Sequence, residues 1–160
     1  MSYSVKGNVE WLFEGAWVDM ISNDFDAKDF WPDTAINARR ARDTTTARVM
    51  PAISVEANVQ QTIPNTNEYR CTMRFFCETD PYKADKTGEQ IKALIGYLRD
   101  LIHNDEIIEK LNKQMRGLVM NSKDSLHEVN TEDDSVFDDP SQIRRMIMQV
   151  DAWVYVGSEN

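Results

Sequence analysis

Apolar and polar residues alternate along three stretches of the chain, Met50–Gln60, Asn67–Glu78 and Ile143–Val156. Strict alternation is typical of a β-strand that buries one of its two faces. Between the second and third stretches, Thr87–Asn112 has apolar positions three and four residues apart, which is the spacing of an amphipathic helix. A weaker strand pattern over Leu118–Asn130 precedes the last strand. This order predicts an α+β fold in which two hairpins flank a helical region and form a mostly antiparallel sheet.

The N-terminal segment has helical spacing and predicts a helix over residues 4–21. Its apolar stripe consists of Val5, Val9, Leu12, Phe13, Ala16, Trp17, Met20 and Ile21. Residues 22–47 show no clear period, so we predict a long loop there, and loops of this length are commonly functional. Four apolar side chains would be poorly placed on a free loop, so we expect this segment to pack on its own domain or on a neighbouring subunit. These residues are Phe25, Phe30, Trp31 and Ile36.

The elements together predict a single domain over residues 1–160, with hairpins at 48–78 and 117–156 and helices at 87–112. A chain of this length can bury a sizeable core. We expect a sheet of about four strands, with the helices packed on one of its faces.

Three local signals add detail to this prediction. Thr87 and Gln90 fit a capping box at the start of the helical region. The apolar positions fall out of phase near Asn121–Ser125, which predicts a bulge or bend. Cys71 and Cys77 lie six residues apart on one strand, about 20 Å at ~3.3 Å per residue, which is too far for a disulfide. We therefore expect both cysteines in the core, as suits a reducing cytosol.

The chain is acidic, with a formal net charge of −9. An acidic surface disfavours nonspecific nucleic-acid binding and favours solubility. The sequence has no apolar run that approaches the roughly 18 residues of a membrane span, and its N-terminus lacks the apolar region of a secretory signal. We therefore expect neither membrane insertion nor secretion.

Candidate catalytic chemistry is sparse. The two histidines, His103 and His127, have no partner at metal-ligand spacing, and the chain has no P-loop, no Gly-x-Gly-x-x-Gly and no Gly-x-Ser-x-Gly. An acidic run over residues 132–139 offers oxygen ligands for a divalent cation, but it lacks the glycine and the alternating spacing of an EF-hand loop. We expect no cofactor and no metal. The enzymatic alternative is a metal-dependent hydrolase that uses this acidic loop and His127.

Charge is distributed unevenly, and the two charged segments are candidate contacts with other subunits. One segment is basic and contains Arg39, Arg40 and Arg42. The other segment is acidic and contains Asp133, Asp134, Asp138 and Asp139. If Arg39, Arg40 and Arg42 meet the acidic loop of a neighbouring copy, reversing all three to glutamate is expected to abolish association and to leave the fold intact, because the predicted loop carries no core strand. A further alternative is a soluble adaptor that binds a host protein through the arginines.

Three large side chains are also candidate contacts. Trp31 lies in the predicted loop, and Trp153 and Tyr155 lie on the second face of the last strand together with Ile147. That second face is apolar enough to be covered, and another subunit is a suitable cover.

The order helix, long loop, hairpin, helix, hairpin resembles the tail terminator proteins of long-tailed bacteriophages. The features that support the resemblance are the chain length, the first strand Pro51-Ala52-Ile53-x-Val55 and the helical connection Leu94–Leu111. It is a resemblance of pattern over nearly the whole chain, without a shared motif, so no residue role is transferred. Head-closure and neck connector proteins share much of this pattern and are the alternative within the structural class.

The resemblance implies a structural virion protein rather than an enzyme. Six copies would form a ring on the tail tube, stop its polymerisation and provide the surface on which the head or neck docks. The implied partners are other copies of the chain, the tail tube protein, the sheath where one is present, and the neck proteins. DNA would only pass through the lumen. The implied location is the tail or neck of the virion, with assembly in the host cytoplasm.

Overall fold

The computed structural model describes residues 6–45, 48–62, 66–121, 125–135 and 143–157. A short 3-10 helix at Lys6–Asn8 leads into the first α-helix. The helices are α1 (Val9–Asn23), α2 (Phe25–Lys28), α3 (Glu89–Ile102) and α4 (Ile107–Gln114). The strands are β1 (Asn37–Arg40), β2 (Ala52–Thr62), β3 (Glu68–Thr79), β4 (Leu118–Val119), β5 (Leu126–Asp133) and β6 (Arg144–Val156).

All six strands belong to one mixed sheet, in which β1, β2, β3 and β6 lie side by side. Strands β4 and β5 both pair with β6, along successive parts of the edge that β3 does not occupy. Among the strands that the structure describes, only the β1–β2 pair is parallel. The predicted α+β class and mostly antiparallel sheet are confirmed, but the expected count of about four strands is wrong. Strand β1 was not predicted, because four residues are too few to show alternation, and the strand predicted over Leu118–Asn130 is divided into β4 and β5.

The segment predicted as a long loop contains α2 and β1. Strand β1 has the sequence Asn-Ala-Arg-Arg, and its polar residues hide the strand from a search for apolar alternation. Ile36 is buried, and its N–H donates to the carbonyl of Ala27 at 2.8 Å, which anchors the segment on its own domain. Phe25 differs from the other apolar residues of this segment because 75% of its surface is exposed.

One continuous hydrophobic core joins the helices to one face of the sheet. Trp17 of α1 is fully buried, and its ring meets that of Phe75 on β3 edge-on at 5.0 Å between centroids. Cys71 and Cys77 share the inward face of β3 with Phe75, and both are buried free thiols, as expected. Burial raises the pKa of Cys71 to about 12, so its thiol stays protonated and unreactive.

The start of α3 differs from the predicted capping box. Gly88 occupies the N-cap with φ of 85°, a conformation that favours glycine. The buried carboxylate of Asp85 accepts hydrogen bonds from the N–H groups of Gln90 and Ile91, at 2.9 and 3.0 Å, and from the hydroxyl of Thr79 at 2.6 Å. Asp85 therefore accepts hydrogen bonds from the free N–H groups of the first turn, although it lies outside the helix. Sequence spacing does not reveal this role.

The described part of the β5–β6 ladder contains one irregularity. The register shifts between Glu128 and Asn130, so the extra residue is Val129. We expected the irregularity earlier, near Asn121–Ser125, a stretch of which residues 122–124 lie outside the described part of the chain. Val129 is about half exposed, in keeping with a bulged residue at a sheet edge.

Candidate assembly surface

The basic cluster lies at the first edge of the sheet, in β1 and the turn that follows it. Arg40 faces the helices: its guanidinium lies 3.4 Å from the centre of the Trp11 ring and 3.2 Å from a carboxylate oxygen of Glu14. The guanidinium occupies the space where a β-carbon on Gly15 would project, so the glycine permits this close approach. Arg40 is thus held within its own subunit.

Glu10 and Glu14 protect the part of β2 that β1 leaves uncovered. Strand β1 pairs with β2 only as far as Val55. Beyond that point, the N–H of Ala57 donates to Glu14 at 3.0 Å and the N–H of Val59 donates to Glu10 at 2.8 Å. The two carboxylates, one helical turn apart, substitute for a neighbouring strand and block the edge.

We predict that Arg40→Gln lowers the free energy of unfolding by about 1–2 kcal/mol, because the nearly buried Glu14 carboxylate loses its counter-charge. Urea denaturation measures the change. Arg116→Gln, at an exposed position, is the control for loss of one positive charge. Equal stability of the two variants would contradict this role for Arg40. The prediction replaces the expectation that all three arginines can be reversed without affecting the fold.

Arg39 and Arg42 are oriented differently from Arg40. Arg39 pairs with Ser54 of β2, so it lies on the sheet face opposite to Arg40, and its side chain donates to the carbonyl of Asp43. Arg42 is exposed and makes no hydrogen bond or ion pair with a described residue. Of the three arginines, Arg42 therefore has the side chain most available to another molecule.

The acidic residues lie at the opposite edge of the sheet, at the end of β5. Asp133 accepts hydrogen bonds from the hydroxyl and the N–H of Ser135, which hold its pKa below the usual range. Asp134 forms an ion pair with Arg145 at 3.3 Å. The other two acidic candidates, Asp138 and Asp139, lie outside the described residues.

One row of paired residues crosses the whole sheet and connects the two edges. We call it the cross-sheet row: Arg39, Ser54, Phe76, Ile147 and Glu132, each paired with the next. Paired residues on neighbouring strands point to the same face, so both ends of the row share one face. Four strand spacings of about 4.8 Å put the ends roughly 19 Å apart. A basic side chain and an acidic side chain thus terminate the same row.

That face of the sheet, here called the open face, carries no helix among the described residues. Trp153 and Tyr155 both lie on it and are half-buried. Partial desolvation and a hydrogen bond to the Glu68 carboxylate raise the pKa of Tyr155. Two residues further along β3, Arg70 forms an ion pair with Asp151 at 2.6 Å. The open face is therefore aromatic and charged rather than simply apolar.

Trp31, the third aromatic candidate, lies near α2 and away from this face. It forms an isolated bridge with Thr34, and its ring lies 5.8 Å from that of Phe30. Phe30 in turn meets Tyr97 of α3 edge-on at 6.5 Å. Trp31 is half-buried against its own domain and does not lie beside Trp153 and Tyr155 of β6.

Sequence reasoning missed a buried ionic cluster on the open face. Glu78 lies on β3 with its side chain on the open face, yet only 1% of its surface is exposed. Arg48 and Arg145 both contact the same carboxylate oxygen, Oε2, at 2.9 and 3.1 Å. These partners lie 30 and 67 positions away along the chain, so no local spacing could indicate the cluster.

The residues named for the enzymatic alternative do not form a ligand set in the described part of the chain. His127 pairs with Asp151 across the β5–β6 ladder. No group of three or more His, Cys, Asp or Glu side chains there is arranged to hold a metal ion. No described helix is long and apolar enough to cross a membrane. No protein-family model matches the chain, and no curated protein matches it.

Proposed function

We propose that this chain is a non-enzymatic subunit of a closed ring, and that the ring is the tail terminator of a long-tailed bacteriophage. The observation that carries the proposal is the cross-sheet row, which ends in Arg39 at one edge of the sheet and in Glu132 at the other. Opposite charges at opposite edges favour a head-to-tail contact between identical copies, because the basic edge of one copy can bind the acidic edge of the next.

The edges themselves support this geometry. Strand β1 covers only the first part of β2, and β5 pairs only with β6 among the described strands, so each edge has a stretch that no described strand pairs. Proteins protect such edges with charge and bulges, and here Val129 and the glutamates of α1 do so. Protected edges disfavour indiscriminate strand pairing and leave charged side chains to select the partner.

A ring of this kind would act by covering a surface and would not catalyse a reaction. Six copies would cover the end of the tail tube, stop the addition of tube subunits and provide the surface for the neck or head. Contacts would be made to the tube protein, to a sheath where present, and to neck proteins. The net charge of −9 favours a lumen that repels DNA and lets it pass.

The proposal is tested by measuring the mass of the purified chain with and without assembled tail tubes. We expect a monomer or weakly associated chain alone and a sixfold ring on tube ends, because a template raises the local concentration of subunits. Tube elongation should stop where the ring is bound. A stable dimer under both conditions, or tubes that continue to grow with the protein bound, would contradict the proposal.

A further inference from the structure

A small pocket of about 220 Å³ opens on the open face, between the turn after β1 and the ends of β2, β3 and β6. Its main lining residues are Arg42, Arg48, Ser54, Phe76, Glu78 and Arg145. Ser54 and Phe76 belong to the cross-sheet row, and both line the pocket. The pocket therefore lies at the basic end of the row on which we base the ring contact.

Ser54 provides the first sign that the pocket binds a ligand. Only 2% of the residue is exposed, and its hydroxyl has no hydrogen-bond partner among the described residues. A buried hydroxyl without a partner is unfavourable, and such groups in folded proteins are usually satisfied by another group. Its position in the pocket wall makes a ligand oxygen a suitable acceptor for the hydroxyl proton.

The charges around the hydroxyl indicate the kind of ligand. Three arginines and two glutamates line the pocket, which leaves one formal positive charge. Glu78 is already paired with two of these arginines. The other glutamate, Glu56, accepts a hydrogen bond from the side chain of Asn58 at 2.8 Å. Arg145 also pairs with Asp134, so Arg42 is the lining arginine that has no ion pair with a described residue.

We propose that this pocket binds a carboxylate, and that its occupant in the assembled ring is the side chain of Glu132 from the adjacent copy. The second part rests on the ring function proposed above. A planar carboxylate fits Arg42 as a bidentate acceptor and offers an oxygen to Ser54. The volume suits a single side-chain carboxylate, and it is too small for a nucleotide.

Glu132 is selected by elimination among the acidic residues described on β5 and just after it. Glu128 is paired with Arg99, Asp133 with Ser135 and Asp134 with Arg145. Glu132 is exposed and has no hydrogen bond or ion pair with a described residue. It also ends the cross-sheet row on the open face, the face on which the pocket lies. A head-to-tail contact between edges therefore brings Glu132 towards the pocket of the next copy.

The pocket itself is tested on the free protein by an NMR titration with sodium acetate, with sodium chloride at matched ionic strength as the reference. We expect saturable shifts at the Ser54 amide and at the side-chain Nε of Arg42, Arg48 and Arg145. Ser54→Ala should weaken the response and Arg42→Gln should remove it, whereas Arg116→Gln should leave it unchanged. Shifts no larger than those from chloride, or equal shifts in all variants, would overturn the carboxylate site.

The occupant is tested by ring assembly on tail tubes. Arg42→Gln and Glu132→Gln should each weaken assembly by about tenfold or more. The double variant should be no weaker than either single one, because both remove the same contact. Glu109→Gln, at an exposed position on α4, is the control for the loss of one negative charge. Additive losses, or assembly equal to wild type, would overturn Glu132 as the occupant.

The two tests separate the failure of the site from the failure of the ring. If the wild-type chain forms no ring, the proposed function and the Glu132 contact are both overturned, while the acetate titration still decides whether the pocket binds a carboxylate. If rings form and acetate does not bind, the carboxylate site is overturned and the ring function stands.

Discussion

Replacing Trp17 with alanine is expected to lower the free energy of unfolding by about 3–5 kcal/mol. Trp17 is fully buried where α1 meets the sheet, and it contacts the rings of Phe13 and Phe75 edge-on, at 6.3 and 5.0 Å between centroids. Truncation leaves a large cavity in a close-packed core and removes both aromatic contacts. Chemical denaturation measured by far-ultraviolet circular dichroism gives the change.

Trp11 provides a matched control because it is the same residue type on the same helix. It is 56% exposed and contacts the guanidinium of Arg40. Trp11→Ala should therefore cost about 1 kcal/mol, the scale of an exposed cation–π contact. Equal losses for the two tryptophans would mean that α1 does not pack on the sheet through Trp17.

The second large effect is expected from Glu78→Ala, which should lower the free energy of unfolding by about 2–4 kcal/mol. The buried carboxylate is shared by Arg48 and Arg145, and its removal leaves both guanidinium groups without this partner. Both arginines are partly exposed, so water recovers some of the loss. Thermal and urea denaturation of the variant measure the effect.

Glu132→Ala is the control on the same face of the sheet. Glu132 is exposed and pairs with no described side chain, so its truncation should change stability by less than about 0.5 kcal/mol. If Glu78→Ala proves as mild as this control, Glu78 is not the centre of the ionic cluster and the arginines are held by other groups.

The sequence predicts those parts of the fold in which apolar residues recur at a regular spacing over a long stretch. Strands β2, β3 and β6 are eleven to thirteen residues long, and α1 and α3 each bury an apolar stripe, so alternation and helical spacing identify them. Strand β1 has one apolar residue and forms only because the long edge of β2 is available for pairing. Tertiary context creates it, and no local pattern could indicate it.

The sequence predicts the charged segments of the candidate site but not the orientations and partners of their side chains. Net charge by segment identifies the basic and acidic clusters, but it treats Arg39, Arg40 and Arg42 as equivalent. Their positions separate them. Arg39 and Arg40 are successive residues of β1 and face opposite sides of the sheet, with Arg40 towards α1, whereas Arg42 lies in the turn after the strand. The partners of Glu78 and the unpartnered hydroxyl of Ser54 depend on residues brought together by the sheet.

The central claim is a head-to-tail contact between oppositely charged edges, and a charge exchange tests it most directly. Ring mass on tail tubes should be measured for Arg42→Glu, for Glu132→Arg and for the chain that carries both changes. Each single change sets like charges against each other and should abolish the ring, whereas the double change restores opposite charges and should recover most of the assembly. Wild-type assembly should weaken as salt rises, because exposed charges are screened over about 8–10 Å at physiological ionic strength. A double variant that assembles no better than the single ones, or single variants that assemble like wild type, would contradict the claim.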